Sequence, residues 1–321
     1  MGMGKASRTK QDVDRRARIA AQREAERRAA MRKRIYLAGG SVLVVAIVVV
    51  ALVLVKLNSG TATASNGPTG TALASVTKQV TTVPTSVTDK VAGGGVNKSL
   101  FIPSSQLSAA SAQGAPYFST VNGTALTANG KPEVLFVGAE YCPFCAAQRW
   151  AMVNALSRFG TFTGLTTSHS SSTDSYPNTP TYTFYKSTYT SKYVTFTPVE
   201  ETTNQPDGNG GYQTLQTPTS AQQQLLQAYD PGTGSGGAIP FLDLGNKYVQ
   251  VGNLSPLDPS LLSGKTWAQV ASAMNDPTSA IGKAEVGNAN YMTAAICKLT
   301  NNQPATACTP TIQKLQADFA S

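Results

Sequence analysis

The sequence has few of the charged residues on which nucleic-acid-binding proteins depend. Residues 1–34 hold twelve Lys or Arg against four Asp or Glu, which accounts for +8 of the formal net charge of +9 and leaves the rest of the chain nearly neutral. If the chain after residue 34 bound nucleic acid, it would need a basic face of its own, because the neutralisation of phosphate charges supplies most of the affinity of proteins for nucleic acid. We therefore expect no nucleic-acid partner. No internal repeat is evident either.

Histidine and cysteine are also scarce. His169 is the only histidine, and the four cysteines are spaced as the pairs Cys142/Cys145 and Cys297/Cys308. A tetrahedral zinc site normally combines two closely spaced ligand pairs, but ten residues separate the members of the second pair. We therefore predict no metal and no other cofactor. In a compartment outside the cytoplasm the same cysteines would form two disulfides.

A long apolar run near the N-terminus predicts a membrane helix. Residues 35–55 are 21 uncharged, mostly aliphatic residues, enough at about 1.5 Å each to cross a hydrocarbon core of about 30 Å. Basic residues 32–34 precede the run and only Lys56 follows it closely, so the positive-inside rule places residues 1–34 in the cytoplasm. The sequence thus predicts a basic cytoplasmic tail, one transmembrane helix over residues 35–56 in the cell membrane, where the lipid bilayer surrounds it, and an extracytoplasmic remainder.

A cleaved signal peptide is the alternative explanation of the apolar run, with Ala62-Thr63-Ala64 as a small-residue cleavage site. The basic region is too long for a signal peptide, and the apolar run exceeds the usual length of about 7 to 15 residues. Both lengths favour a permanent anchor.

The rest of the chain reads as a tether followed by an α/β domain. Residues 57–80 are rich in Gly, Ser, Thr and Ala and lack apolar periodicity, which is typical of a flexible tether, so the domain is assigned to residues 81–321. Asn129-Gly130 between two apolar stretches predicts a hairpin. Apolar periodicity and caps predict further elements, namely a short helix over 83–91 with Val87 and Val91 inward, a helix after the cysteines that stops at Gly160, strands within 161–216, a helix over 220–229, two strands around Gly245-Asn246, and helices from residue 266 onward.

The junction of strand and helix at Cys142 is where the sequence places redox chemistry. A thiolate is the nucleophile in disulfide exchange, and an ordinary cysteine is only a few per cent thiolate at neutral pH. At a helix N-terminus, unpaired N–H groups and the helix dipole favour the anion, and Pro143 suits the first helical position. Two intervening residues bring Cys145 back within one turn, so Cys142 is predicted to attack and Cys145 to resolve the mixed disulfide. A static disulfide and a metal corner are the alternatives.

Two motifs resemble those of the thioredoxin superfamily: AEYCPFC after an apolar strand, and AIPF about a hundred residues later before another strand. The resemblance implies an α/β thioredoxin-like domain with insertions and C-terminal helices, in which the Ile239-Pro240 bond is cis and Pro240 packs against the cysteines. The CPFC motif is also similar to the CPYC of glutaredoxins. Over roughly residues 75–321 the chain resembles the domain of unknown function 929, an uncharacterised family of membrane-anchored, extracytoplasmic thioredoxin-like proteins of actinobacteria and archaea.

One position departs from the thioredoxin pattern. Thioredoxins carry a buried aspartate six residues before the first cysteine, where it assists proton transfer to the resolving thiol, and this chain has Phe136 there. Glu140 is either a partial substitute or a solvated loop carboxylate. Tyr141 is expected to support the site, and Phe144 to project outward and grip extended substrate chains. Arg149 is expected on the surface, with thiolate stabilisation as its alternative role.

The resemblance and the cysteine spacing together predict a membrane-tethered thiol–disulfide oxidoreductase. Its CPFC pair would exchange with thiols and disulfides of secreted or membrane proteins, and an unknown electron partner in the membrane would restore it. Oxidase, isomerase and reductase roles stay open, because potentials in this superfamily range from about −270 to −120 mV. A non-catalytic binding module with the same fold, and metal handling, are the alternative functions. Cys297 and Cys308 are predicted to form a structural bridge between two helices, with a second redox pair as the alternative.

Overall fold

The computed structural model describes residues 67–94, 102–103, 118–229, 238–251 and 257–319. They belong to a unit that spans Ala64–Ser321. The predicted basic tail, the predicted membrane helix over residues 35–56 and the alternative cleavage site lie outside the described residues. Among the helices that the structure does describe, none is long and apolar enough to cross a membrane.

Helices and strands are interspersed along the described chain, so the fold is of the mixed α/β class. The helices are α1 (Gly70–Thr81), α2 (Thr85–Val91), α3 (Pro143–Leu156), α4 (Ser220–Tyr229), α5 (Trp267–Met274), α6 (Gly287–Leu299) and α7 (Pro310–Leu315). The strands are β1 (Ile102–Pro103), β2 (Ser119–Thr120), β3 (Thr127–Ala128), β4 (Lys131–Gly138), β5 (Gly160–Thr163), β6 (Thr166–His169), β7 (Pro180–Thr183), β8 (Thr188–Ser191), β9 (Thr195–Glu200), β10 (Thr202–Pro206), β11 (Tyr212–Thr214), β12 (Phe241–Leu244) and β13 (Tyr248–Val251).

Strand β4 is the centre of the largest sheet, which has seven strands within the described residues. It pairs in parallel with β9, where Gly138 lies opposite Glu200, and antiparallel with β12, where Val137 lies opposite Phe241. The β12–β13 hairpin, β2 and β1 extend the sheet beyond β12. Because both faces of β4 are covered, its run VLFV is apolar at every position rather than at alternate ones.

Apolar side chains pack on both faces of this sheet. One face, with Phe136 and Leu242, joins the large core formed with α3, α5 and α6. The other face, with Leu135, Val137 and Phe241, packs under Leu226 of α4 in a smaller cluster. The sheet is therefore a buried layer, and the loop that follows β4 emerges at its edge next to α3.

Helix α3 begins at the cysteine motif because Cys142 caps it and Pro143 takes the first helical position. Its residues from Cys145 to Leu156 are all buried, including the polar Gln148 and Asn154. Trp150 is fully buried, and its indole N–H donates to the carbonyl of Pro180 on β7 over 2.8 Å. The helix that carries the cysteines is thus held rigidly on all sides.

The predicted tether over residues 57–80 is wrong at its C-terminal end. Helix α1 spans Gly70–Thr81, and its Val76 and Val80 are buried in the core. Asn154 of α3 donates to the carbonyl of Val80 over 2.7 Å, which ties this helix to α3. Its few apolar residues lie at helical spacing, but the surrounding Gly, Ser, Thr and Ala conceal that pattern in the sequence.

A disulfide joins the C-terminal helices. Cys297 near the end of α6 is bonded to Cys308, which precedes α7, and both residues are buried. Thr309 caps α7 by accepting the N–H of Ile312, and Pro310 follows it at the first helical position. The bond joins residues 11 positions apart in the sequence and so restricts the unfolded chain.

Removing this disulfide is expected to lower the free energy of unfolding by about 3 kcal/mol, the chain-entropy cost of a loop of this size. The measurement is urea denaturation of the full-length Cys297→Ala/Cys308→Ala variant beside the wild-type protein. Dithiothreitol should lower the wild-type midpoint by more than that of the variant, in which only Cys142 and Cys145 remain to be reduced. A variant as stable as the oxidised wild type would contradict the prediction.

Candidate active site

Cys142 and Cys145 are free thiols on either side of the first turn of α3. The backbone N–H of Cys145 donates to the sulfur of Cys142 over 3.4 Å. Cys142 retains 7% of its accessible surface and Cys145 retains none. The first cysteine is therefore the one that a reactant reaches from solvent, and the second lies behind it.

Gly138 at the end of β4 makes room for the inner thiol. A Cβ atom at this position would stand 3.1 Å from the sulfur of Cys145 and 2.5 Å from Cζ of Phe136, so a side chain here would displace one of them. The pairing of Val137 with Phe241, continued by one residue, brings Pro240 alongside Gly138. Pro240 is buried and its peptide bond with Ile239 is cis. The structure thus brings Pro240 to the strand position that Cys145 covers.

The two thiols differ in their readiness to ionise. The pKa of Cys142 is lower than its ordinary value although the residue is buried. The largest cause is a hydrogen bond that the Cys145 thiol donates to Cys142. The backbone N–H groups of Cys145 and Phe144 and the charge of Arg149 lower this pKa further. Burial raises the pKa of the Cys145 thiol well above its ordinary value, and its interaction with Cys142 adds to this rise. Cys142 is therefore the thiol of the pair that ionises more readily, and Cys145 keeps its proton to higher pH.

Arg149 is not the surface residue that the sequence predicts. It lies one turn after Cys145, is fully buried, and forms a bidentate ion pair with the equally buried Glu200 of β9, with Nε–Oε1 and Nη2–Oε2 distances of 2.9 and 2.6 Å. Its Nη2 also donates to the carbonyl of Ala139 over 2.8 Å. Burial alone would lower the pKa of Arg149, but Glu200 raises it above its ordinary value, so the guanidinium stays charged beneath the thiols.

Sequence reasoning missed Glu200 entirely. The carboxylate also accepts the backbone N–H of Phe184 over 3.1 Å, so each of its oxygens has a partner. The available signal was the placement of Arg149 four residues after Cys145 on a helix without any other charged residue. A charge there needs a buried partner of opposite sign.

Phe136 leaves the position of the thioredoxin aspartate apolar. Its ring is fully buried, packs edge-on against Phe184 at 5.5 Å between centroids, and lies 5.7 Å from the guanidinium carbon of Arg149. Glu140 is half-buried, accepts a hydrogen bond from the hydroxyl of Ser168 over 3.3 Å, and its charge favours that of Arg149. Both carboxylates near the thiols, Glu140 and Glu200, therefore act on the site through the arginine.

Aromatic side chains pair on both sides of the segment from residue 139 to residue 145, which follows β4, carries both thiols and is called the cysteine loop below. Tyr141 stacks on Tyr212 of β11 with centroids 4.3 Å apart and planes 5° apart. Phe144, which the sequence expects to project freely, is half-buried and packs edge-on against Tyr176 at 6.2 Å. Burial, together with the charges of the neighbouring thiols, raises the pKa of Tyr141 to about 12, so its hydroxyl stays neutral.

The remaining sequence candidates lie outside the thiol pair. His169 is the last residue of β6, and its Nδ1 is 2.8 Å from the carbonyl oxygen of Ser170 and 3.3 Å from the amide nitrogen of Asn204. Cys297 and Cys308 are joined to each other. Within the ranges that the structure describes, no group of three or more His, Cys, Asp or Glu side chains is arranged to hold a metal ion.

Comparison with known proteins yields one family. A family model described as a domain of unknown function, DUF929, matches residues 117–298, which is more than half of the chain and includes the cysteine motif, β9 and the β12–β13 hairpin. No curated protein matches. No solved structure matches either.

Proposed function

Because the chain belongs to the DUF929 family, whose description assigns no activity, we propose from the geometry of the site that the protein is a thiol–disulfide oxidoreductase. The observation that supports this most is the pairing of a solvent-reached Cys142 at the start of α3 with a fully buried Cys145 one turn later. The pKa of the outer thiol is lowered and that of the inner thiol is raised, which is the division of roles that disulfide exchange needs.

In the proposed reaction the Cys142 thiolate attacks one sulfur of a substrate disulfide. A bond forms between Cys142 and that sulfur, and the other substrate sulfur leaves as a thiolate. Cys145 then loses its proton to solvent water and attacks Cys142, which forms the Cys142–Cys145 disulfide and releases the second substrate thiolate. Two electrons pass to the substrate, and the reverse sequence oxidises a dithiol. The charge of Arg149 favours the anion of Cys145 in the second step.

The proposed fold is thioredoxin-like. Its support is the order of elements around the cysteines: strand β4, the CPFC motif and α3 in succession, with Pro240 leading into a neighbouring antiparallel strand. The motifs quoted from the sequence agree with this arrangement.

The proposed setting is the outer side of a cell membrane, with the protein anchored by the apolar run over residues 35–55. The support is the length of that run, the basic residues before it and the Cys297–Cys308 disulfide, since structural disulfides persist mainly in oxidising compartments. Substrates are then secreted or membrane proteins, and an electron partner in the membrane restores the dithiol or disulfide.

The test is covalent trapping. The full-length Cys145→Ser variant, isolated without reductant, should carry partner proteins joined through Cys142 that reductant releases, because the resolving thiol is absent. The matched Cys142→Ser variant should carry none. If Cys145→Ser accumulates no adduct and alkylating reagents do not modify Cys142 at neutral pH, the protein is a binding module instead. Metal found in the reduced protein by elemental analysis would favour metal handling.

A further inference from the structure

The two flanks of the cysteine loop are bound to it by backbone hydrogen bonds. The N–H of Ser171 donates to the carbonyl of Tyr141 over 2.8 Å, which attaches the segment between β6 and β7. On the other side the N–H of Glu140 donates to the carbonyl of Thr202 over 3.0 Å, which attaches β10. The surface around Cys142 is therefore built from three segments, which are residues 138–149, 166–185 and 200–229.

Each flank supplies an aromatic ring to the loop. Tyr212 stacks on Tyr141, and Tyr176 packs against Phe144. All four rings are half-buried, so each leaves part of its surface open to solvent. An extended chain whose cysteine reaches Cys142 would lie between these two aromatic pairs and could bury an apolar side chain against either.

The charges of the same three segments have one sign. They contain no lysine, and their only arginine is the buried Arg149, which Glu200 neutralises. The remaining carboxylates are Glu140, Asp174, Glu201 and Asp207; the first three are half-buried and Asp207 is exposed at the β10–β11 turn. The charge of Glu201 reaches Tyr141, and that of Glu140 reaches Arg149. His169 is the one other basic side chain in these segments.

We propose that this aromatic and acidic rim around Cys142 selects extended polypeptide segments in which the reacting cysteine lies beside lysine or arginine and an apolar side chain. This inference rests on the proposed function and specifies its substrate class. Opposite charges raise the rate of encounter, and like charges across a contact oppose it, so peptides with acidic residues beside the cysteine are discriminated against.

The experiment uses matched peptides with one cysteine, identical except that the residues on either side of it are lysine, glutamine or glutamate. Each cysteine is capped with thionitrobenzoate through a disulfide. Attack by the reduced full-length chain releases the coloured thiolate and leaves the peptide on Cys142, and Cys145 then frees the peptide thiol. Rates with 2-mercaptoethanol, an uncharged thiol, correct for the intrinsic reactivity of each peptide.

We expect the corrected rate for the lysine peptide to exceed that for the glutamate peptide by about tenfold at low ionic strength, and this ratio to approach one in 1 M salt, where the screening length falls to about 3 Å. Glu140→Gln/Asp207→Asn should lower the ratio. Asp89→Asn, which removes one charge from the exposed side of α2, should leave it unchanged. The peptides also carry a leucine near the cysteine. Replacing this leucine with serine in the lysine peptide should slow the reaction of that peptide.

Two outcomes distinguish a failure of the proposed charge selection from a failure of the proposed oxidoreductase function. If all three peptides react at the same corrected rate, or if the glutamate peptide reacts fastest, the charge selection is wrong while the oxidoreductase activity stands. If none of the peptides reacts faster than with 2-mercaptoethanol, the proposed function fails as well.

Discussion

Glu200→Gln is expected to destabilise the folded chain by roughly 3–5 kcal/mol, the usual cost of removing one partner from a buried ion pair. Glutamine has nearly the same shape and still accepts the N–H of Phe184, but its amide nitrogen is a donor that faces the donors of Arg149. The guanidinium is then a buried charge without a counter-charge. Urea denaturation of the full-length chain measures the loss.

The matched control is Arg149→Met/Glu200→Gln. This double variant has the same glutamine at position 200 but lacks the charged guanidinium of Arg149. This double variant should be more stable than Glu200→Gln alone, because replacing a buried ion pair by neutral groups costs less than breaking it. A double variant as unstable as the single one would show that the ion pair is not the cause. A single variant within about 1 kcal/mol of wild type would contradict the burial of the pair.

The same two variants separate stability from the chemistry of the thiols. In Glu200→Gln the arginine charge remains near the cysteines, so the pKa of Cys142 should stay low. In the double variant that charge is gone, and the pKa of Cys142 should rise, because Arg149 is one of the groups that lower it. Thiolate absorbance in the ultraviolet, followed against pH, measures this difference. An unchanged pKa in the double variant would show that Arg149 does not act on Cys142.

Ionisation of Asp243 is expected to lower the free energy of unfolding by about 4 kcal/mol between about pH 4 and pH 8. The residue lies on β12, fully buried, between Leu135 and Val249 on the neighbouring strands. Its Oδ1 accepts the N–H of Asn246 over 2.6 Å, while its Oδ2 has no hydrogen-bond partner among the described residues. Burial raises its pKa from 3.8 to about 7, and the charge of Glu133 contributes.

The sign follows from which state holds the proton more tightly. With a higher pKa in the folded state, the unfolded chain loses this proton first as the pH rises, so stability is greatest below about pH 4 and is lost up to about pH 7. Asp243→Asn still accepts from Asn246 and cannot ionise. The free energy of unfolding of Asp243→Asn, measured by urea denaturation across this pH range, should therefore decline less with rising pH than that of the wild type.

A second buried carboxyl group contributes to the same slope. Burial raises the pKa of Glu285 well above its ordinary value, so wild-type stability should fall with pH for two reasons. The difference between wild type and Asp243→Asn isolates the first. Asp89→Asn, at an exposed site, is the control for removing an acid. Parallel pH curves for wild type and Asp243→Asn would contradict a neutral Asp243 in the folded state.

The buried ion pair changes how the absence of the thioredoxin aspartate is understood. The sequence indicates only that Phe136 replaces that carboxylate, which leaves proton transfer to the inner thiol without an obvious helper. In the structure a carboxylate, Glu200, lies on the neighbouring strand β9, two residues beyond the one opposite Phe136, but it is bound to a guanidinium. We therefore propose that the site stabilises the inner thiolate with a fixed positive charge instead of accepting its proton.

Local elements were predictable because their causes are local. Asn129-Gly130 lies at the turn of the β3–β4 hairpin, where both residues have positive φ. Cys142, Pro143 and the absence of glycine define the start and length of α3. Helix α1 was missed because its three apolar residues are isolated among small residues, and their contacts with the core lie far away along the chain.

The sequence by itself determined the mixed α/β class, the family and the spacing that puts Cys142 at the cap of a helix with Cys145 one turn behind it. These depend on caps, turns and periodicity, which act over a few residues. Only the tertiary structure decided that α3 is buried on every side, that Arg149 finds Glu200 across 51 positions of sequence, and that Tyr176 and Tyr212 meet the cysteine loop. Burial and pairing between distant segments depend on which surfaces pack together, and no pattern within one segment specifies its partner.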